Sequence, residues 1–408
     1  MCVDVSRSRL FGRAEFLAAV AAAASPVFAA ASIGEPADAA ALPALSAPPG
    51  LRGGNASAAR IAATSPFIAK TYAESLDVAR SIADAPLRES VLALLRDPKP
   101  LYAARHPTPE SREAVRQSLV RENLIAADAP LGAIFPPGTE ADAAHAPQPF
   151  WAAAGSDANS HHSYPGGLAV HERFNASIAV QFASTYDRIY FDQRGAVDRD
   201  MVVAAALYHD VMKTAVFQWN DDGSILEETP IGATGGHHVL SGAEAIARGR
   251  SPRFVITLLS AHAAPSLGDE TKVAMWCRAA AIVAGVDPVD YGLLRRDGSQ
   301  FALAPHYVPI EAFVNYLSDH DFVLSIHAVR EVLPELRRLS VQYVGAPSAT
   351  AAPQHYTTFA WFKNDVFANL SAIGLYGTLA GAGATSFDRT VAEFVSSRPH
   401  RAAAPPTR

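Results

Sequence analysis

Cysteine is nearly absent from this chain of 408 residues, which has only Cys2 and Cys277. Two cysteines are too few for a disulfide scaffold, a zinc finger or a cysteine-ligated iron–sulfur cluster. An excess of positive charge is absent as well, since 34 Lys and Arg stand against 40 Asp and Glu and give a net charge of −6. General nucleic-acid binders and proteins that bind anionic membranes need a positive field, so the charge disfavours both classes.

Alternating strand patterns and internal repeats are also absent. Hydrophobic residues make up 49% of the chain, but much of this is alanine in runs such as AAVAAAAS and VVAAAL. Alanine is the best helix former and buries little area per residue. The composition therefore predicts an all-α fold. A serine-hydrolase interpretation fails because the chain has no G-x-S-x-G motif.

The first 31 residues have the three-part pattern of an export signal. Arg7, Arg9 and Arg13 precede an apolar stretch over 16–31, and three alanines before Ser32 offer a cleavage site. The stretch is short and alanine-dominated for a membrane span. We expect a periplasmic or extracellular protein with no membrane span after signal cleavage. The alternative is a cytoplasmic protein that begins with an Ala-rich arm.

Changes in composition divide the remaining sequence. An N-terminal helical segment is predicted to contain one helix from Pro66 to Arg96 and a second from Ser111 to Ile125, with Ser111 as N-cap. Between about Trp151 and Gly345, helical patterns follow one another with short Gly/Pro breaks. The predicted organisation is a signal peptide (1–31), an Ala/Pro-rich linker (32–65), an N-terminal helical segment (66–150), a main helical domain (151–345) and a C-terminal helical extension with a disordered tail (346–408).

Histidines are concentrated in one quarter of the chain, since 7 of the 14 lie between positions 161 and 262. Burying an imidazole or a carboxylate is costly unless the group is hydrogen-bonded or metal-bound. Groups at the ends of neighbouring apolar helices are therefore expected to converge on one polar pocket. Imidazoles and carboxylates without thiolates suit Mn, Fe, Co, Ni or Zn. The residues at such helix ends are His171, His209, Asp210, His238, His262 and Asp287.

These residues carry a family resemblance. The order His171, His209-Asp210, Asp287 is similar to the H…HD…D signature of the HD superfamily of metal-dependent phosphohydrolases. The similarity is greatest to the HD domains of bacterial 3′–5′ exoribonuclease-like proteins and extends from about Trp151 to Tyr291. The shared motifs are HH-x-Y-x-GGL-x-x-H (His161 to His171), HD-x-x-K (His209 to Lys213), H-x-x-x-G-x-E (His238 to Glu244) and D-x-x-D (Asp287 to Asp290).

The resemblance implies an HD-type helical bundle with extra flanking helices and one or two divalent ions (Mn, Fe, Co, Ni or Zn). It implies one ion bound by His171, His209, Asp210 and Asp287, and a second bound by His238 and His262 with Asp210 as a bridge. Asp210 and Lys213 are the expected catalytic residues. Lys213 follows His209 by four residues, hence on the same helical face, and would contact the substrate phosphate. His161 and His162 are further candidates for substrate binding.

The predicted function is hydrolysis of a phosphoester by a metal-activated water. The expected substrate is a small nucleotide or another small phosphate ester, and no long nucleic acid. Two alternatives stay open: a di-iron oxygenase with the HD fold, and a catalytically silent HD module that acts as a ligand sensor.

His237 and the other histidines are interpreted as structural, and Asp319-His320-Asp321 as a solvated helix face. The oligomeric state is not predicted.

Overall fold

The computed structural model describes residues 44–48, 51–136, 147–157, 160–192, 195–265, 268–305, 308–345 and 357–398. All of them belong to one compact unit, Pro43–Arg408. The predicted signal peptide (1–31), the first part of the predicted linker and the end of the predicted C-terminal tail lie outside the described residues.

The predicted all-α class is confirmed. The one sheet among the described residues is an antiparallel hairpin of β1 (Leu294–Asp297) and β2 (Gln300–Leu303), with Leu294 opposite Leu303. The helices in chain order are α1 (Gly53–Ala63), α2 (Pro66–Arg80), α3 (Ala85–Arg96), α4 (Leu101–Ala104), α5 (Pro109–Arg121), α6 (Gly167–Tyr190), α7 (Arg199–Ala206), α8 (Lys213–Val216), α9 (Gly236–Ala247), α10 (Pro252–Leu259), α11 (Glu270–Ala284), α12 (Ile310–Ser318), α13 (Asp321–Val344), α14 (Thr357–Leu370) and α15 (Ala372–Ser397).

Helix starts follow capping chemistry and correct two predicted boundaries. The helix predicted from Pro66 to Arg96 is two helices, because the Asp84 side chain accepts the Leu87 N–H and starts α3. The helix predicted from Ser111 begins earlier, at Pro109. Its N-cap is Thr108, and the Ser111 side chain accepts the Thr108 N–H in return.

The predicted linker over 32–65 is wrong for its last part, because α1 is a packed helix. Ala58, Ala59 and Ala62 are fully buried. The Asn55 amide donates to the Gln218 side chain at 2.6 Å and accepts the Trp219 N–H at 2.8 Å. Small side chains, which suggested a flexible segment, instead let this helix approach its neighbours closely.

One hydrophobic cluster extends from α1 to α15. The alanine-rich helices α7 and α11 lie at its centre, and the flanking segments add Tyr102, Phe367 and Phe387, which are all fully buried. The N-terminal and C-terminal segments therefore share a core with the central helices. No single helix among the described residues has the length and hydropathy of a membrane span, although α14 and α15, bent by 79° at their junction, pass that test together by length and composition.

Candidate metal centre

Five polar segments meet where central helices begin or end. His171 lies in the second turn of α6, and His237-His238 open α9. His209-Asp210 occupy the turns between α7 and α8, His262 follows α10, and Asp319 lies in the break between α12 and α13. These helices pack against one another, so the side chains at their ends come together inside the core.

Asp210, Asp319 and two histidines form what we call the carboxylate-rich half of the site. The Asp210 Oδ2 atom lies 3.3 Å from His171 Nε2 and 3.4 Å from His209 Nε2. The Asp319 Oδ1 atom lies 3.1 Å from His171 Nε2 and 3.5 Å from His209 Nε2. All four residues are buried.

The other Asp210 oxygen faces what we call the histidine-rich half, formed by Asp210, His237, His238 and His262. Asp210 Oδ1 lies 3.2 Å from His237 Nε2 and 3.4 Å from His262 Nε2. These four residues each offer one ligand atom within 4.8 Å of the others. Asp210 thus contributes one carboxylate oxygen to each half.

The donor spacing fits divalent cations. Adjacent ligand atoms about 2.0–2.2 Å from one ion lie about 2.8–3.6 Å from one another in octahedral or tetrahedral geometry. The separations around Asp210 and Asp319 are 3.1–3.5 Å. The Nε2 atoms of His209, His237 and His262 are buried and have no hydrogen-bond partner among the described residues. Buried polar atoms without partners are costly, and a cation would satisfy all three.

Opposite charges within the site shift the pKa values of its carboxyl and imidazole groups. Burial alone would raise the carboxyl pKa values, but the neighbouring histidines hold the pKa of Asp210 and of Asp319 well below the usual range, with Lys213 adding to the effect at Asp210. Burial likewise opposes protonation of His171, yet hydrogen bonds to Asp210 and Asp319 raise its pKa to about 9. Carboxylates that stay ionised in the core require compensating positive charge, which protons or metal ions supply.

Lys213 lies against the carboxylate of Asp210. Its ammonium forms an ion pair with Asp210 and donates to the Gly155 carbonyl, and the side chain is buried. Lys213 and His209 do not lie on one continuous helix as predicted, because α7 ends at Ala206 and Lys213 begins the short helix α8. The contact therefore depends on the turns between the helices rather than on one continuous helical face.

His161 and His162, the other candidates for substrate binding, lie beside the carboxylate-rich half. Their ring centroids are 5.2 and 5.4 Å from that of His171. His162 is buried in a left-handed conformation (φ 52°), and its Nε2 lies 3.2 Å from Asp321 Oδ2. Burial lowers the pKa of both rings. Neutral imidazoles here can donate to a phosphate oxygen or add metal ligands.

The structure does not bring Asp287 to the site, which corrects that assignment. Asp287 is exposed, and its carboxylate caps a surface turn by accepting the N–H groups of Val289 and Asp290. Asp319 lies where the sequence assigned Asp287. The sequence predicts a solvated helix face for Asp319, because its long polar pattern gives no sign of the break between α12 and α13.

Sequence reasoning also missed three residues around the histidines. His237 was interpreted as structural, but it is buried and its Nε2 faces Asp210. Glu228 Oε2 lies 2.6 Å from His237 Nδ1, and Glu172 Oε2 lies 3.1 Å from His209 Nδ1. Glu172 follows His171 directly on a buried turn, and a fully buried glutamate of this kind is rare unless it is paired. Glu228 lies in a loop and left no sequence signal.

Comparison with known proteins gives a short match. No protein-family model matches the chain, and no solved structure matches it. The chain is similar to the dihydroneopterin 2′,3′-cyclic phosphate phosphodiesterase of Methanocaldococcus jannaschii, with 36% identity over 66 residues, which are 16% of this chain and 25% of that protein. The match spans a quarter of the relative's length. This partial similarity to a phosphodiesterase and the His/Asp groups able to hold metal ions are compatible with a metal-dependent hydrolase.

Proposed function

We propose that this protein is a metal-dependent phosphohydrolase of the HD type that cleaves a small phosphodiester. The observation that carries the proposal is the position of Asp210, whose two oxygens face two different sets of histidines while Lys213 pairs with the same carboxylate. A pair of cations, when bound, supplies a water of lowered pKa and neutralises charge on the phosphoryl group.

The residues of the chain have separate tasks in this proposal. His171, His209, Asp210 and Asp319 would hold one ion, and the histidine-rich half would hold the other. Lys213 is a compact cation fixed by the Gly155 carbonyl, placed to stabilise the negative charge that grows as the P–O bond breaks. Hydrolysis adds one water across that bond and leaves a phosphomonoester and an alcohol, which are both on one molecule when the diester is cyclic.

The surroundings of the site support a small substrate. His161, His238 and His262 are the half-buried residues at its edge, and the other ligand candidates are buried. Because little of the site is exposed, it suits a compact ester, and the net charge of −6 disfavours a long nucleic acid. The similar Methanocaldococcus protein is named for a 2′,3′-cyclic phosphate, so a small cyclic phosphodiester is the substrate class we propose to test first.

Export remains part of the proposal. The three-part pattern over 1–31 supports cleavage before Ser32 and function outside the cytoplasm. Sequencing the N-terminus of the protein recovered from cells and from the periplasmic fraction tests this. A mature chain that begins at Ser32 is expected, and a full-length chain confined to the cytoplasm would contradict export.

The activity test uses the full chain purified without chelator and reconstituted with Mn, Fe, Co, Ni or Zn. We expect metal-dependent hydrolysis of bis(4-nitrophenyl) phosphate and of a nucleoside 2′,3′-cyclic phosphate, lost in Asp210→Asn and kept in the surface control Asp287→Asn. Substrate-dependent O2 consumption by the iron form without phosphoester cleavage would instead identify an oxygenase. Metal binding without either activity would contradict the enzyme proposal and favour a sensor.

A further inference from the structure

The two halves of the metal centre offer different ligand atoms. In the carboxylate-rich half, two imidazoles face two carboxylates. In the histidine-rich half, Asp210 supplies one carboxylate and the other three candidates are imidazoles. Imidazole suits Zn, Fe and Ni, whereas carboxylate oxygens suit Mn and other hard cations. The two halves are therefore not expected to prefer the same metal ion.

We propose that His237, oriented by Glu228, is a ligand of the histidine-rich half and makes that half selective for a borderline ion such as Zn(II), leaving a harder ion such as Mn(II) to the carboxylate-rich half. This inference rests on the metal centre of the proposed function. It adds two residues, His237 and Glu228, to which the sequence gives no role in the site.

Glu228 fixes the orientation of His237 by two contacts. Its Oε2 atom accepts the His237 backbone N–H at 3.1 Å and lies 2.6 Å from the ring Nδ1. A carboxylate can only accept a hydrogen bond from Nδ1, so the proton stays on Nδ1 and Nε2 keeps its lone pair. That Nε2 atom is buried, lies 3.2 Å from Asp210 Oδ1 and has no hydrogen-bond partner among the described residues.

The neighbouring His238 lacks such a constraint. Its Nδ1 lies 2.6 Å from the Thr234 hydroxyl, which can donate or accept and therefore leaves the tautomer open. Its ring is stacked on that of His262, with centroids 3.3 Å apart. Of the two adjacent histidines, His237 is the one whose ligand nitrogen is set in advance by a carboxylate.

Glu172 provides a contrasting control in the other half. Its Oε1 accepts the Asp210 N–H at 3.1 Å, and its Oε2 lies 3.1 Å from His209 Nδ1. That ring nitrogen lies 3.0 Å from the Ala206 carbonyl oxygen, which can only accept and therefore keeps the proton on Nδ1 whatever residue stands at 172. A glutamine at 228 has nearly the same shape as the glutamate, but its amide can donate to His237 Nδ1 and shift the ring proton to Nε2, where the ligand lone pair is needed.

The test loads the full chain with one equivalent of Zn(II), then excess Mn(II), and measures both metals after gel filtration. About one Zn and one Mn per chain are expected. Competition with a chromophoric chelator should show that Glu228→Gln weakens Zn(II) binding about 10–100-fold while Mn content stays. Glu172→Gln and the surface control Asp287→Asn should leave Zn(II) binding in place, because neither changes the ring that Glu228 orients.

Unchanged Zn(II) affinity in Glu228→Gln, or an equal loss of Zn(II) affinity in Glu172→Gln, would overturn the inference. If Glu228→Gln does not give the wild-type circular dichroism spectrum, His237→Gln provides the same readout, and full Zn(II) affinity there would overturn it as well. Wild-type protein that binds no ion would refute the metal centre itself. Two bound ions that respond alike to every variant would refute the selectivity alone.

Discussion

At the scale of single residues, the environment of each aspartate decides its role. Asp287 and Asp319 both follow helices, yet one accepts backbone N–H groups at the surface and the other lies between two buried imidazoles. A carboxylate in the core needs a positive partner, whereas one at a surface turn is satisfied by backbone and water. This difference gives a matched pair of variants.

Asp319→Asn is expected to remove the ion from the carboxylate-rich half. The amide keeps the shape of the side chain but loses the charge that binds the cation. The loss of metal affinity should therefore be larger than the loss of about 10–100-fold that is typical when a residue hydrogen-bonded to a ligand is replaced. Asp287→Asn should keep the full metal content. Elemental analysis of both proteins measures the effect, and metal loss in Asp287→Asn would contradict the assignment.

Lys213→Met is expected to keep both ions and lower kcat/KM by about 10²–10³-fold, because the cation that stabilises developing phosphoryl charge is gone. Hydrolysis of bis(4-nitrophenyl) phosphate by metal-loaded protein measures it, with metal content determined on the same sample. Unchanged kinetics would remove Lys213 from the catalytic residues. Loss of the ions would show that its contact with Asp210 is structural.

At the scale of elements, the site depends on where helices stop. The interruption between α12 and α13 turns Asp319 inward, and the turns between α7 and α8 place Asp210 and Lys213 together. The loop before α6 is equally constrained, since a Cβ on Gly167 would lie 1.9 Å from the His162 carbonyl oxygen. Only glycine allows the loop with His161 and His162 to lie on the helix start.

Gly167→Ala is therefore expected to destabilise the fold by about 1–3 kcal/mol, because backbone atoms rather than a flexible side chain block the new methyl group. The control is Gly377→Ala in α15, where an added Cβ meets no atom within 4 Å. Alanine there should be neutral or stabilising by roughly 0.5–1 kcal/mol. Thermal unfolding compares the two, and an unchanged Tm for Gly167→Ala would contradict the packing.

These element ends also explain what could be predicted from the sequence. His171, His209, Asp210 and His262 were predictable because buried polar groups at the ends of apolar segments need polar partners, and they find them by lying close together. Asp319 was not, because the pattern from α12 to α13 continues through the break. Glu228 acts from a loop whose position depends on contacts distant in sequence, and the packing of α1 depends on partners more than 160 residues away.

At the scale of the whole molecule, we expect metal binding and stability to be coupled. Ions that bind the folded chain raise its free energy of unfolding, by about 2.7 kcal/mol at a hundred times the Kd. Chelator should therefore lower the Tm of the loaded protein. The decrease should be larger at pH 8 than at pH 6, because protons on His171, whose pKa is raised to about 9, and on His209, whose pKa is also raised, increasingly compete with the ions as pH falls.

Differential scanning calorimetry with and without chelator at the two pH values measures this coupling. The surface variant Asp287→Asn serves as control and should follow the wild type. If chelator left the Tm unchanged at both pH values, metal binding by the buried His/Asp groups would not be coupled to the stability of the fold.

The most direct test of the two-ion site is the metal content of the full chain, purified without chelator or nickel affinity resin, beside that of Asp210→Asn. We predict about two divalent ions per chain in the wild type and a large loss of both in Asp210→Asn, since both halves share that carboxylate. Wild-type protein that stays free of metal after reconstitution, or an Asp210→Asn variant that keeps both ions, would contradict the account.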